Sequence, residues 1–184
     1  MILGENDIVA IEQQIPKLCR FARSRVGDPV LADDLVQDCL ERAIRHFDKF
    51  QQGTNLQAWL FTILRNVQIN HYRKQKRRSE VAISDEGYEL PAVAASQEQT
   101  VEFKDFARSF AELSEEHKEI LLLIVVEGFK YNEAADILGL PVGTIRSRLF
   151  RARARLREIE QERGAVRESR HGANPVKVQL KLVH

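Results

Sequence analysis

Two runs of basic residues define the chemistry open to this chain. Arg65, Arg73, Lys74, Lys76, Arg77 and Arg78 fall within residues 65–78, with no acid among them. Arg146, Arg148, Arg151, Arg153, Arg155 and Arg157 fall within residues 142–157, again with no acid. Fixed cations bind phosphate oxygens, and an arginine can also grip a guanine edge with two parallel hydrogen bonds. A basic helix with acids one turn away reads as an ordinary solvated face. The acid-free runs point instead to a polyanion, and two such helices far apart in sequence point to DNA.

The remaining charge is segregated as well. Asp28, Asp33, Asp34, Asp38 and Glu41 share residues 28–41 with no base, and Glu80, Asp85, Glu86, Glu89 and Glu98 share residues 80–98. Net charge is only +1, so the distribution carries the signal and the sum does not. Blocks of opposite sign imply different partners for different surfaces. Cys19 and Cys39 occupy apolar helical positions and read as buried free thiols. They form no metal-type spacing with His46, His71, His117, His171 and His184. There is no phosphate-cradling glycine loop and no nucleophile–base pattern, so the reading is a non-enzyme with no metal and no cofactor. No signal peptide or bilayer-length apolar run is evident, which leads us to expect a cytoplasmic protein with no membrane insertion.

Helical elements must position these residues. Ile8, Ile11, Ile15, Leu18, Cys19, Ala22 and Val26 predict one helix over about residues 7–26. Gly27-Asp28-Pro29 breaks it, with Asp28 as the next cap and Pro29 at the first helical position. The following helix, to about Phe47, has an apolar face of Leu35, Val36, Cys39, Leu40, Ala43 and Phe47. Its opposite face is Asp34, Gln37, Asp38 and Glu41. A polar loop, Gln51, Gln52, Gly53, Thr54 and Asn55, opens onto a third helix of about 35 Å. Leu56, Trp59, Leu60, Ile63, Leu64 and Val67 form its buried stripe, which makes Trp59 a core residue. Phe61, Ile69 and Tyr72 lie off that stripe; packing on neighbouring helices is favoured, with base stacking the other option for Tyr72.

Residues 79–100 read as an acidic linker with Gly87 and Pro91. A second helical cluster follows, and residues 131–157, YNEAADILGLPVGTIRSRLFRARARLR, fit a helix-turn-helix. Gly139 supplies the tight turn. Ile145, Leu149, Ala152 and Leu156 share one face of the second helix, over about residues 142–159. Ser147, Phe150, Arg151 and Ala154 share the opposite face, flanked by Thr144 and Arg146, while Arg148, Arg153, Arg155 and Arg157 lie at the sides. Phe150 on that outward face has no core to join, so it suits a thymine methyl or a sugar. The tail from Gly164 reads as polar, and its end, VKVQLKLV, alternates like a short strand.

ADDLVQDCLERA, GTNLQAWLFTILRN and EGFKYNEAADILGLPVGTIRSRLFRARARL, in this order, closely resemble the extracytoplasmic-function group of bacterial sigma factors. The resemblance covers about residues 8–160. It implies an all-α fold of two small helical domains, a σ2-like bundle (1–78) and a σ4-like helix-turn-helix domain (101–163), joined by a flexible linker (79–100) and followed by a tail (164–184). It implies a promoter-specificity subunit that does no chemistry itself. Asp34, Gln37, Asp38, Glu41 and Arg42 would dock on the β′ clamp helices of core RNA polymerase, with σ4 meeting the β subunit. The loop Gln51–Asn55 would capture a flipped base of the −10 element, with Arg65, Asn66, Asn70, Arg73 and Lys74 holding the strand. Tyr131, Thr144, Arg146, Ser147, Arg148, Phe150 and Arg151 would read the −35 duplex. An anti-sigma factor is an expected partner. One departure is Lys130, where the family usually has Ser or Thr; either Asn132 caps one turn later or Lys130 adds a phosphate contact. A plain duplex-binding regulator would leave GTNLQAWLFTILRN and the acidic helix unused. A helical adaptor would leave Phe150 and the acid-free helix unexplained.

Overall fold

In the computed structural model, the backbone is described over residues 4–81 and 101–171, and side chains over 4–77 and 106–163. The expected linker of residues 79–100 lies largely, and the VKVQLKLV segment wholly, outside the described residues, as does the side chain of Arg78. All described regular structure is helical: α1 (Glu5–Glu12), α2 (Ile15–Val26), α3 (Pro29–Arg45), a 3-10 turn (Phe47–Lys49), α4 (Leu56–Val81), α5 (Val101–Ala111), α6 (Glu115–Leu121), a π turn (Leu122–Val126), α7 (Tyr131–Leu138) and α8 (Val142–His171).

Two helix bounds differ from those expected. The first predicted helix is two, α1 and α2, because Pro16 in the first turn of α2 can neither donate to nor fit inside a continuous helix. With the chain bent there, Ile8 is left exposed although Ile11 is buried. The last helix runs on to His171, past the predicted end near Ile159. Its sequence from Arg157 to Arg163 holds good helix formers, and Arg155 pairs with Glu158 and Glu162 along its surface.

Local signals set the other bounds. Gly27 takes a left-handed φ of 69° and closes α2, and the Asp28 carboxylate accepts from the Val30 N–H at 2.9 Å. Asn55 caps α4 by accepting from the Ala58 N–H at 3.3 Å. Ser114 caps α6, and Gly139, with φ 63°, closes α7. Lys130 stands at the N-cap of α7, where the Glu133 carboxylate accepts its N–H at 2.8 Å. This is the acid's half of a capping box; the other half, a side-chain acceptor at the N-cap for the first helical N–H groups, is not made by Lys130.

The packing joins the two halves. Leu18, Phe21, Leu35, Cys39, Leu60 and Leu64 of α2–α4 belong to the same buried cluster as Ile120, Leu123, Ile137, Ile145, Leu149 and Ile159 of α6–α8. Phe61 is the link. Its ring lies 5.1 Å from Phe21 in the first half and 5.0 Å from Phe129 in the second. Trp59 packs on Phe47 and Phe50, at 6.0 and 5.3 Å between rings, in a satellite cluster. Packing, the favoured expectation for Phe61, is what the structure holds; Tyr72 is partly exposed, edge-on to His71.

Both cysteines are free thiols. Cys39 is buried and donates to the Leu60 carbonyl at 3.5 Å. Burial pushes its thiol up to about 12, opposed by the nearby Arg42 charge. Two expectations follow. At pH 8 a thiol reagent should label half-exposed Cys19 in the native protein and reach Cys39 only after unfolding; because folding holds this proton to about pH 12 and an unfolded thiol releases it near 9.0, stability should fall as pH rises between those values. Phe61→Ala should cost about 3–5 kcal/mol in urea unfolding, and a loss below about 1 kcal/mol would contradict its role as the link.

Candidate nucleic-acid and polymerase surfaces

Three surfaces emerge. The first is the outer face of α3, where Asp34, Gln37, Asp38 and Glu41 are all exposed. The Gln37 amide reaches Glu41 at 3.5 Å, a weak contact that leaves the face polar and accessible. The face forms because the apolar residues of α3 sit at helical spacing on the other side and are consumed by the core. Arg42 lies at its margin, half-buried.

The second surface is the loop 51–55 and the exposed side of α4. Thr54 braces the loop by donating from its hydroxyl to the Gln51 carbonyl at 2.6 Å, and Gly53 turns it with φ 85°. Gln51, Gln52, Thr54 and Asn55 are exposed. Asn66, Asn70 and Arg73 continue from this loop at i, i+4 and i+7 on one exposed stripe, with Lys74 beside it. Arg65 does not join them. Its Nε donates to the Glu119 carboxylate at 3.3 Å, on the other side of α4. Asn55 is also engaged, its amide donating to Glu133 at 2.7 Å.

Beside this stripe lies an open cleft of about 240 Å³, walled by Trp59 and Ile63 and rimmed by Arg42, His46, Lys49 and Asn66. His46 and Lys49 escaped the sequence reading. The signal available was a histidine at the end of α3 and a lysine in the 3-10 turn, just before the loop. An aromatic wall with a cationic rim suits a stacked base and its phosphate.

The third surface is the exposed face of α8. Arg146, Ser147, Phe150 and Arg151 all point outward, with Phe150 70% exposed. Arg151 Nε donates to the Ser147 carbonyl at 3.3 Å, which aligns the side chain along the helix. Arg146 lies over the Tyr131 ring at 5.9 Å, so the start of α7 flanks the face. Thr144 is half-buried. Arg148 pairs with Glu116 of α6 at 3.2 Å; the acid that its own helix lacks comes from a neighbour.

Family models match both halves: Sigma-70 region 2 over residues 10–78 and Sigma-70, region 4 over residues 104–156. The chain is 43% identical over 162 residues to the ECF RNA polymerase sigma factor EcfG of Rhodopseudomonas palustris, covering 87% of this chain and 86% of that protein. The chain belongs to the extracytoplasmic-function sigma factors. It is 34% identical to the ECF sigma factor SigM of Bacillus subtilis, over 76% of this chain and 86% of that one. In fold it is similar to the sigma factor RpoE solved in complex with the anti-sigma factor NepR from Bartonella quintana. That match has a TM-score of 0.74 and 36% identity, over 86% of this chain and 98% of that one. A second neighbour is CnrH, solved with the cytosolic domain of CnrY, at a TM-score of 0.60 and 27% identity, over 84% and 86%.

As an ECF sigma factor, the chain is an alternative sigma factor acting in transcription initiation, within a family of non-catalytic transcription regulators. Among the described residues, no group of three or more His, Cys, Asp or Glu is placed to hold a metal ion. No described helix is long and apolar enough to cross a membrane.

Proposed function

We infer that this sigma factor reads a bipartite promoter. Arg146, Ser147, Phe150 and Arg151 enter the −35 major groove, with Arg146 or Arg151 gripping a guanine edge and Phe150 meeting a thymine methyl. Tyr131, Thr144 and Arg148 support this face at its margin. The loop Gln51–Asn55 takes a flipped −10 base, while Asn66, Asn70, Arg73 and Lys74 follow the strand. The cleft beside Trp59 gives that strand a further base and phosphate position. Arg65 joins the strand once it leaves Glu119. The face of Asp34, Gln37, Asp38 and Glu41, with Arg42 at its edge, docks on the β′ clamp helices of core polymerase, and the σ4-like half meets the β subunit.

The carrying observation is Phe150, a large apolar side chain held 70% exposed at the centre of an arginine face. Solvation alone gives no reason for it, and groove contact does. An anti-sigma factor is a further partner, on the strength of two neighbours solved with such factors. The sequence divides accordingly into residues 1–78, 79–100, 101–163 and 164–184, with α4 and α8 running past the first and third segments to Val81 and His171 and the promoter and polymerase surfaces lying on those two segments.

Run-off transcription with purified core polymerase on host promoter fragments tests the reading. Discrete transcripts that need both proteins are expected, and their absence would sink it. Arg146→Ala with Arg151→Ala should abolish −35-dependent transcription, a loss of about 30-fold or more for two base-reading contacts at about 1–3 kcal/mol each, while core binding stays intact. Loss of core binding in that variant would contradict the division of labour.

A further inference from the structure

The arginines of α8 are of two kinds. Arg148 pairs with Glu116 at 3.2 Å, Arg155 with Glu158 at 3.2 Å and Glu162 at 3.7 Å, and Arg163 with Glu112. A guanidinium held by a carboxylate must give it up before it can meet a phosphate. Arg157 is under no such constraint. It is exposed, and it enters no ion pair among the described residues. Its Nε donates to the Arg153 carbonyl at 3.2 Å. Arg151, assigned above to base reading, is braced in the same way, by its Nε on the Ser147 carbonyl at 3.3 Å. The brace lays each side chain along the helix and leaves both terminal nitrogens as donors toward the outside.

The position of Arg157 matters as much as its freedom. Residues seven apart on an α-helix differ by only about 20° in direction. Arg157 therefore continues the stripe of Arg146 and Phe150, two turns further on. At about 1.5 Å per residue it lies about 10 Å beyond Phe150. Leu156 and Ile159 are buried on the opposite side, so the core holds this part of α8 in a fixed relation to the reading face. The major groove winds round the duplex and is about 12 Å wide. A helix seated in it from Arg146 to Arg151 leaves it within about two turns and passes over the bordering phosphates.

We propose that Arg157 is a phosphate contact on the backbone that borders the −35 groove, a clamp beyond the base-reading set. This rests on the promoter reading above. The Nε brace stays in place while the terminal nitrogens donate to two oxygens of one phosphate. Such a contact fixes the register of the helix on the duplex and carries no sequence information.

The test uses holoenzyme assembled from core polymerase and the full chain. Its DNA is a promoter fragment mapped by run-off transcription, and the same fragment with the −35 element scrambled. Affinity is read by gel shift across a salt series in the cold, where the duplex stays closed. One phosphate contact contributes a slope of about −0.9 in log affinity against log salt, which from about 1 M down to about 0.1 M amounts to about eightfold. Arg157→Gln should therefore flatten the slope by about 1 and weaken binding about eightfold at about 0.1 M salt, by the same factor on both fragments. Arg157→Lys should recover most of that loss. Arg155→Gln removes the same charge two residues away, yet should change affinity by less than about twofold, because Glu158 and Glu162 already neutralise Arg155. Equal losses at 155 and 157 would assign the effect to bulk charge and overturn the proposal, as would no loss at 157. A loss confined to the intact −35 fragment would make Arg157 a base reader, and a loss of core binding would make it a polymerase contact; either result overturns the proposal. A wild-type holoenzyme that binds the two fragments equally would count instead against the promoter reading.

Discussion

Phe61 has one ring and two cores to serve. On α4 it is completely buried, wedged between Phe21 of the first half and Phe129 of the second. Burying a phenylalanine from water contributes roughly 1.5–3 kcal/mol, with edge contacts adding more. The ion pairs around it are largely buried, with the Glu127 and Glu119 side chains only 2% and 11% exposed, so the cost of desolvating them offsets much of their attraction. The ring therefore holds the halves together, and the charges decide which surfaces face each other while it does so.

The same helix ties the packing to the proposed DNA reading. The inner face of α4 is core, one outer stripe carries Asn66, Asn70 and Arg73, and Arg65 looks toward the second half. A helix rotates by about 100° per residue, so one rigid rod sets all three directions at once. Arg65 has a single guanidinium, so on the proposed promoter reading it leaves Glu119 before it meets the strand. The acidic face of α3 lies outside this competition, because its core-facing residues fix it away from the junction. On the proposed reading, polymerase docking and strand binding thus use different contacts.

Much of this was legible in the residues. Gly27-Asp28-Pro29 and Gly139 mark helix ends because backbone conformation and capping are local properties. The exposed set at Arg146, Ser147, Phe150 and Arg151 follows from helical spacing against Ile145, Leu149 and Ala152. The all-α fold and the family follow from the same motifs. Other features were not local. The pairing of Phe61 with Phe129 joins residues 68 positions apart, and no periodicity announces it. The run around Arg148 lacks acids, yet Glu116 approaches it from another helix. His46 and Lys49 gain meaning only when the end of α3 folds beside Trp59. The break at Pro16 was readable in principle, but an apolar stripe that continued through it masked the bend.

The central claim is that α4 and α8 read two separate promoter elements. A structure of the chain bound to core polymerase and an opened promoter tests this most directly. The account predicts Asn55 and Arg65 on the −10 strand, and Arg146 and Arg151 in a distant major groove. A promoter complex in which Asn55 and Arg65 lie clear of the strand, or Arg146 and Arg151 lie outside the groove, would contradict it.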